Sequence, residues 1–483
     1  MRTLVVWSLG IAAGIFSFAA GAGLTGSIPI ALALAAVTAG LVVRLGHKHS
    51  ILVIEASSCP RGLRALSGIG ILVALVQLSR LAIFMVDPSQ VGYSSLPSSQ
   101  WEVQHSCLSA YYVAAQAADT APNLYDDSLY SLPAEDPTAI RKPRMLGPFR
   151  IDVFEYPPPF LLLPRALLRL APEFTHLRAL WFGLSGGVIL LTILVIARSL
   201  GPFAGTRALL LSPFVWMALP SLSNLQKGNV QAPVIAASML AMVLFEKRRW
   251  ASGGALLAFV TVSKLYPGLL VLYLLARRQW RAVGWTAIMA VAFSAGTLLD
   301  LGWAPYAAFL DHLPGLVGGE AFPAFRNPAA MAINFSIPGL VFKLGLFGVP
   351  GMSFGAAKFV GWVYTLVAIA ATVAAARRSL PDSEKPLVWM AILILATLRS
   401  PFLPQGYAAF PPLWLLTLLV AGCAPTSKTL VRFMLAWAAL NVYWPTDWAI
   451  DPRLLAAVNL VPQTVTILLA VLAFRRRPEM SPA

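Results

Sequence analysis

Half of the acidic side chains in this chain fall in one stretch. Of 20 Asp and Glu residues, ten lie between Asp87 and Glu173. Glu102, Asp152 and Glu155 are among them, with His105 close by, and each of these four side chains can take a proton from a hydroxyl group. Lys264 is a different kind of candidate, a lone ammonium between two short apolar segments. A lysine buried in hydrocarbon costs several kcal/mol unless it snorkels to the interface or finds an anion, and a phosphate is its natural counter-ion. A third cluster, Asn224, Gln226, Lys227, Gly228, Asn229 and Gln231, stands at the start of an apolar segment. Exposed N–H groups there suit a helix cap, a phosphate or a sugar hydroxyl.

The rest of the chain is the scaffold that must position these groups. It is 58% hydrophobic, well above the roughly 45–50% of a soluble domain, and its mean hydropathy is +0.74. Apolar runs of about 18 residues recur, each long enough for a ~30 Å hydrocarbon core, so the expected class is an all-α polytopic membrane protein. The net charge of +16 is no nucleic-acid footprint. Its basic clusters, such as Lys247-Arg248-Arg249, Arg277-Arg278 and Arg475-Arg476-Arg477, punctuate the apolar segments as positive-inside flanks.

Placing those clusters on one side yields spans near 4–23, 28–45, 66–86, 178–197, 206–220, 229–245, 282–299, 355–376, 386–402, 407–421, 430–446 and 454–473. Met1 to about Gly23 reads either as a signal peptide or as a first transmembrane helix, and the apolar segment that follows at once favours the helix. Between Arg249 and Arg277 each arm reaches only roughly 20 Å at ~1.5 Å per residue. Two short helices are expected to meet at Lys264-Leu265-Tyr266-Pro267, with the turn buried in protein or lining a cavity. With these arms the expected count is about fourteen transmembrane or membrane-inserted helices. The organisation expected is an N-terminal hairpin and cytoplasmic loop (1–65), a transmembrane core (66–474) and a cytoplasmic tail (475–483). Within the core, extracytoplasmic loops are expected at 87–176 and 300–350. Cys59, Cys107 and Cys423 have no ligand-like spacing, which indicates neither a disulfide framework nor a metal site, and no cofactor is expected.

Several motifs, taken in order, resemble glycosyltransferase family 87. Gly228-Asn229-Val230-Gln231 is followed by an apolar helix, a basic turn and Lys264-Leu265-Tyr266-Pro267 before Arg277-Arg278. Tyr111-Tyr112-Val113-Ala114-Ala115 through Asn123-Leu124-Tyr125-Asp126 is similar to the family's first-loop helix. Glu155-Tyr156-Pro157-Pro158 is similar to its Tyr-Pro-Pro element, Asn334-Phe335-Ser336-Ile337-Pro338-Gly339 to its Asn-x-Ser loop, and Ser400-Pro401 to its late Ser-Pro turn. The similarity covers roughly residues 66–420, and the hairpin 4–45 looks like an addition. Two positions depart from the pattern. The family's first-loop Asp, its presumed general base, falls in register on Cys107, and the histidine after the Ser-Pro turn gives way to Phe402-Leu403-Pro404-Gln405-Gly406-Tyr407.

The resemblance implies a GT-C fold in a prokaryotic plasma membrane with the active site on the extracytoplasmic face. It implies a mannosyltransferase-like hexosyl- or pentosyltransferase that moves a sugar from a polyprenyl-phosphate donor to a lipid or glycan acceptor with inversion. The base would have migrated to Glu102, His105, Asp152 or Glu155, with Glu102 preferred and His105 second. Lys264, Arg326 and Arg399 would meet the leaving phosphate. Trp101, Tyr156, Gln226, Asn229, Asn334 and Gln405 complete the expected binding set. Two other classes compete, a catalytically inactive envelope-assembly scaffold of the same fold and a flippase or transporter of lipid-linked sugars.

Overall fold

A computed structural model describes residues 2–48, 59–133 and 142–475; most of the expected cytoplasmic tail lies outside them. The described residues are mostly helical, as the apolar runs require. Helices α1 (Arg2–Thr25), α2 (Ile28–Lys48) and α3 (Arg61–Val86) precede the acidic loop, which carries the short helices α4 (Gln100–Gln104), α5 (Leu108–Ala117) and α6 (Leu162–Leu168). Then come α7 (Phe174–Ser199), α8 (Gly201–Leu211), α9 (Pro213–Trp216), α10 (Leu219–Lys227), α11 (Gln231–Glu246), α12 (Trp250–Lys264), α13 (Gly268–Ala276) and α14 (Trp280–Leu301). Next are α15 (Ala304–Gly318), α16 (Pro328–Ala332), α17 (Gly339–Leu346), α18 (Phe354–Ala376) and α19 (Lys385–Thr397). The last four are α20 (Gln405–Ala408), α21 (Phe410–Ala421), α22 (Ser427–Leu440) and α23 (Pro452–Arg475).

Among the described residues, seven helices are long and apolar enough to cross a membrane: α1, α2, α3, α7, α14, α18 and α23. An eighth span would be α8 to α10, bent by 67°. These long helices do not by themselves confirm the expected count of about fourteen, which also took in shorter membrane-inserted helices. Prolines divide the expected span 206–220, because Pro213 and Pro220 remove backbone donors and restart the helix. Several other expected spans are short: α19 has 13 residues and α21 has 12, which is roughly 18–20 Å of rise. The region 300–350 is not a plain loop, since α15, α16 and α17 occupy much of it.

The N-terminal hairpin is bound tightly to the body. Small residues let α1 approach α7: a Cβ on Gly183 would meet the Phe16 carbonyl oxygen at 2.5 Å, and one on Gly23 would meet that of His176 at 2.4 Å. Close backbone approach through small residues is how helices associate where lipid supplies no hydrophobic drive. The outer side of α2 leaves Ile30, Leu32, Val37 and Leu41 exposed, as suits a helix facing lipid.

The acidic loop folds into a small cap. Strands β1 (His105–Ser106), β2 (Met145–Leu146) and β3 (Phe149–Ile151) form one sheet in the order β1-β3-β2. β1 runs parallel to β3, with His105 opposite Arg150 and Ser106 opposite Ile151. The buried guanidinium of Arg178, on α7, donates to the carbonyls of Phe84 (2.6 Å) and Met85 (3.3 Å) at the end of α3 and lies against the Phe149 ring. One arginine thus satisfies orphan carbonyls of a helix terminus and holds the sheet to the membrane body.

Candidate active site

The register between β1 and β3 builds the site. Continuing the pairing one residue sets Cys107 beside Asp152, and the Ser109 hydroxyl fixes that geometry. Ser109 Oγ accepts from the Asp152 N–H at 2.9 Å and lies 3.1 Å from the Arg150 carbonyl. The outcome is a compact group of His105, Cys107 and Asp152, whose ligand-type atoms all lie within 4.8 Å of one another. His105 Nε2 is 3.6 Å from Asp152 Oδ2 and 3.7 Å from Cys107 Sγ. From α20, the Tyr407 hydroxyl reaches His105 Nε2 at 2.7 Å and the Cys107 sulfur at 3.1 Å. Asn229 Nδ2 donates to the same sulfur at 3.3 Å.

Electrostatics separates the three roles. Burial, with Lys227 and Arg150 nearby, holds His105 well below the usual imidazole range, so it is neutral at pH 7. Burial, with the Asp152 charge alongside, pushes the Cys107 thiol up to about 12, so it is no nucleophile at neutral pH. About a third of the Asp152 side chain, 37%, is open to solvent. The protein packed around it still desolvates the carboxyl and pushes it up to about 6, against the Val153 N–H hydrogen bond and the nearby Lys227 charge, which favour the charged form. An accessible carboxylate that titrates near neutrality is suited to general base work.

Lys264, at the end of α12, packs against Tyr156. The break at 264–267 forms as expected: α12 ends at Lys264, α13 begins at Gly268, and Leu265 adopts φ +50°, a left-handed conformation that costs a non-glycine residue energy. The Lys264 ammonium lies 4.9 Å over the Tyr156 ring and 3.4 Å from its hydroxyl. Tyr156 is held by Tyr111, hydroxyl to hydroxyl at 2.9 Å, and by stacking on Phe160. Pro157 to Pro159 fix the backbone that presents it. Half-buried Glu155 feels the charges of Asp152, Lys264 and Asp127, and its carboxyl is raised well above its usual range, chiefly by burial.

Glu102, the base preferred on sequence grounds, is in a different place. It is 0% exposed and receives Lys227 Nζ at 2.6 Å, the Tyr443 hydroxyl at 2.6 Å and the Ser223 hydroxyl at 2.8 Å. Its oxygens are taken up by a buried ion pair that clamps the loop to α10, so no substrate hydroxyl reaches them. Lys227, Tyr443, Ser223 and Tyr407 had no assigned part in the sequence reading. Only Lys227 carried a signal, through the polar run that contains it.

The remaining expected residues fall into two sets. Trp101 and Asn229 touch the cluster: Trp101 stacks on the His105 ring at 4.6 Å, and Asn229 bonds Cys107 and the N–H of Gln231 at the start of α11. Gln226 instead pins the loop, accepting from the Ser95 N–H and donating to the Glu102 carbonyl, each at 2.6 Å. Asn334 is fully buried and clasps the late Ser-Pro turn through the Pro401 carbonyl (2.9 Å) and the Leu403 N–H (3.0 Å), so two expected motifs bind each other. Gln405 is buried against Asn459 and the Val442 carbonyl. Arg399 bonds Thr365 at 2.6 Å and lies over Trp362, and Arg326 lines a separate polar cavity.

Cysteine spacing indicated no metal site, yet the fold gathers a His/Cys/Asp donor set of the kind that suits zinc. Hydrogen bonds to Tyr407, Asn229 and Ser109 already engage this set, and an ion would have to replace some of them.

Neither a curated protein nor a solved structure matches the chain. Residues 154–401, just over half of its 483, match the profile of glycosyltransferase family 87. That match begins two residues after Asp152 and takes in Glu155, Tyr156, Asn229, Lys264 and the clasped 334–401 motifs, and on that extent the chain belongs to glycosyltransferase family 87.

Proposed function

We propose that this membrane glycosyltransferase moves a sugar from a polyprenyl-phosphate donor to a hydroxyl of a glycan or lipid acceptor at the extracytoplasmic face, with Asp152 as the base. The observation that carries this reading is the gathering of Asp152 with Cys107 and His105, their ligand-type atoms within 4.8 Å of one another, where the family register has its aspartate at position 107. The carboxylate missing from position 107 is supplied across the sheet from the end of β3. In the proposed reaction Asp152 takes the proton of the acceptor hydroxyl and the freed oxygen pair attacks the anomeric carbon. The bond from that carbon to the phosphate oxygen breaks, and polyprenyl phosphate leaves with the bonding electrons, inverting the centre.

Lys264 would receive the developing phosphate charge, oriented by the Tyr156 ring beneath it. Neutral His105 and Tyr407 would hold the carboxylate side of the site, and Trp101 would seat the sugar. Nucleotide sugars are absent outside the cell, which leaves a lipid-linked donor for an outward-facing site. Purified protein incubated with a panel of polyprenyl-phosphate sugars should release polyprenyl phosphate. Asp152→Asn should lower that release by at least ~100-fold, the lower end of the range for a general base. Lys264→Met should abolish release, and Lys264→Arg should restore it only in part, because a planar fork does not reproduce a point charge. Full activity in Asp152→Asn would remove the proposed base.

A further inference from the structure

Lys343, on α17, is a buried cation that the proposed transfer does not use. It is 1% exposed, and its hydrogen-bond partners among the described residues are two neutral amides of α23. Its Nζ donates to Asn459 Oδ1 and, at 3.0 Å, to Gln463 Oε1. A charge taken out of water is costly unless it is paired with another, so a lysine set against amides asks for a reason.

Its chemistry supplies one. An ammonium only donates, so both amides turn their oxygens towards it and their NH2 groups away. Asn459 and Gln463 stand one turn apart on one face of α23, and each passes that direction on. Asn459 Nδ2 donates to Gln405 Oε1 at 2.8 Å, which leaves Gln405 Nε2 to donate to the Val442 carbonyl. Gln463 Nε2 donates to the carbonyls of Phe335 (3.0 Å) and Ser336 (3.2 Å). Lys343, Asn459, Gln463 and Gln405 are at most 3% exposed, so solvent offers no partner to an amide that turns round.

Both branches end on one stretch of chain. The Phe335 N–H donates to the Leu403 carbonyl at 2.7 Å and the Ser336 hydroxyl to the Pro401 carbonyl at 3.0 Å, while the other branch reaches Gln405 itself. This stretch leads into α20, where the Tyr407 hydroxyl meets His105 Nε2 and the Cys107 sulfur. Val442, at the end of the Gln405 branch, precedes Tyr443, which bonds Glu102. Resting on the reading of the His105–Asp152 group as the transfer site, we propose that Lys343 is a positioning residue. It sets the direction of a buried amide chain, and that chain holds Tyr407 against His105 and Cys107.

The test uses full-length protein in nanodiscs with Cys59→Ala and Cys423→Ala, so that Cys107 is the thiol labelled by methyl methanethiosulfonate. Three quantities are read: polyprenyl phosphate release from a polyprenyl-phosphate sugar, the rate of Cys107 labelling, and melting temperature. Asn459→Asp is the deciding variant. Its carboxylate gives Lys343 a counter-charge but has no NH2 for Gln405. It should melt no lower than wild type, yet lose roughly 10- to 100-fold in kcat, the scale of a ~1 Å misplacement, with donor KM near wild type. Cys107 should label at least ~5-fold faster, the scale of one lost hydrogen bond. Lys343→Met should move turnover and labelling the same way. In a Tyr407→Ala protein Lys343→Met should add little to either, as expected of two residues on one path. Wild-type turnover and labelling in Asn459→Asp, or effects of Lys343→Met and Tyr407→Ala that simply add, overturn the proposal. If wild type releases no polyprenyl phosphate, the transferase reading fails, and the labelling rates alone still decide whether Lys343 sets Tyr407.

Discussion

Glu102 and Asp152 are carboxylates of the same loop, fixed by opposite kinds of surroundings. Glu102 sits at 0% exposure inside a cage of Lys227, Tyr443 and Ser223, while Asp152 keeps 37% of its side chain open beside His105. The first is a structural ion pair, costly to break once made because each charge has been taken out of water for the other. The second is incompletely paired, and its protonation can change during a reaction. The contrast teaches that closeness to a family register in sequence does not decide whether a carboxylate is caged or open in space.

Mutation of the two acids should separate them most sharply. Asp152→Asn should cut turnover by at least ~100-fold with an unaltered melting temperature, measured by polyprenyl phosphate release and by thermal unfolding in detergent. Glu102→Gln should act on the fold instead. It strands the Lys227 ammonium in a buried site, and the cost expected for a broken buried pair is about 3–5 kcal/mol. Replacing both partners together, Glu102→Gln with Lys227→Met, should recover part of that loss. A stable Glu102→Gln protein that lacks turnover would reverse the two roles.

A smaller effect tests whether Cys107 and Asp152 share one place. Introducing Cys107→Asp into the Asp152→Asn protein should return activity by roughly tenfold, because a carboxylate would again face the acceptor from the neighbouring strand. No recovery would show that the strand end at Asp152 offers an orientation that position 107 cannot. The pH profile gives the gentlest test. The base must be ionised to act, and desolvation favours the protonated form, so turnover should rise with pH up to about 6 and level off above it. An acid limb in the ordinary carboxylate range, near ~4, would point to a solvated acid. Added zinc should inhibit weakly at neutral pH by capturing His105, Cys107 and Asp152, and Cys107→Ser should relieve that inhibition, as a titration of residual activity would reveal.

Much of the framework was legible from residue order. Apolar run lengths set the membrane class, and Pro267 together with the short arms around Lys264 located a helix break that the structure reproduces at 264–267. The motif series placed the chain near its family, and the profile match over 154–401 agrees. The number of spans was less legible, because a window of hydrophobicity does not register where Pro213 or Pro220 restarts a helix.

Sequence by itself therefore determined what depends on local physics: which segments can dissolve in lipid, where a proline stops a helix, and which residue types are available for proton transfer. Tertiary structure alone decided which acid is free to use. Glu102 meets its ammonium 125 positions away and His105 meets its tyrosine 302 positions away. No spacing rule relates residues so far apart in the chain. The environment that sets a carboxylate's charge is made by whichever side chains packing brings against it, and here it brought Lys227 to Glu102 and left Asp152 an open edge.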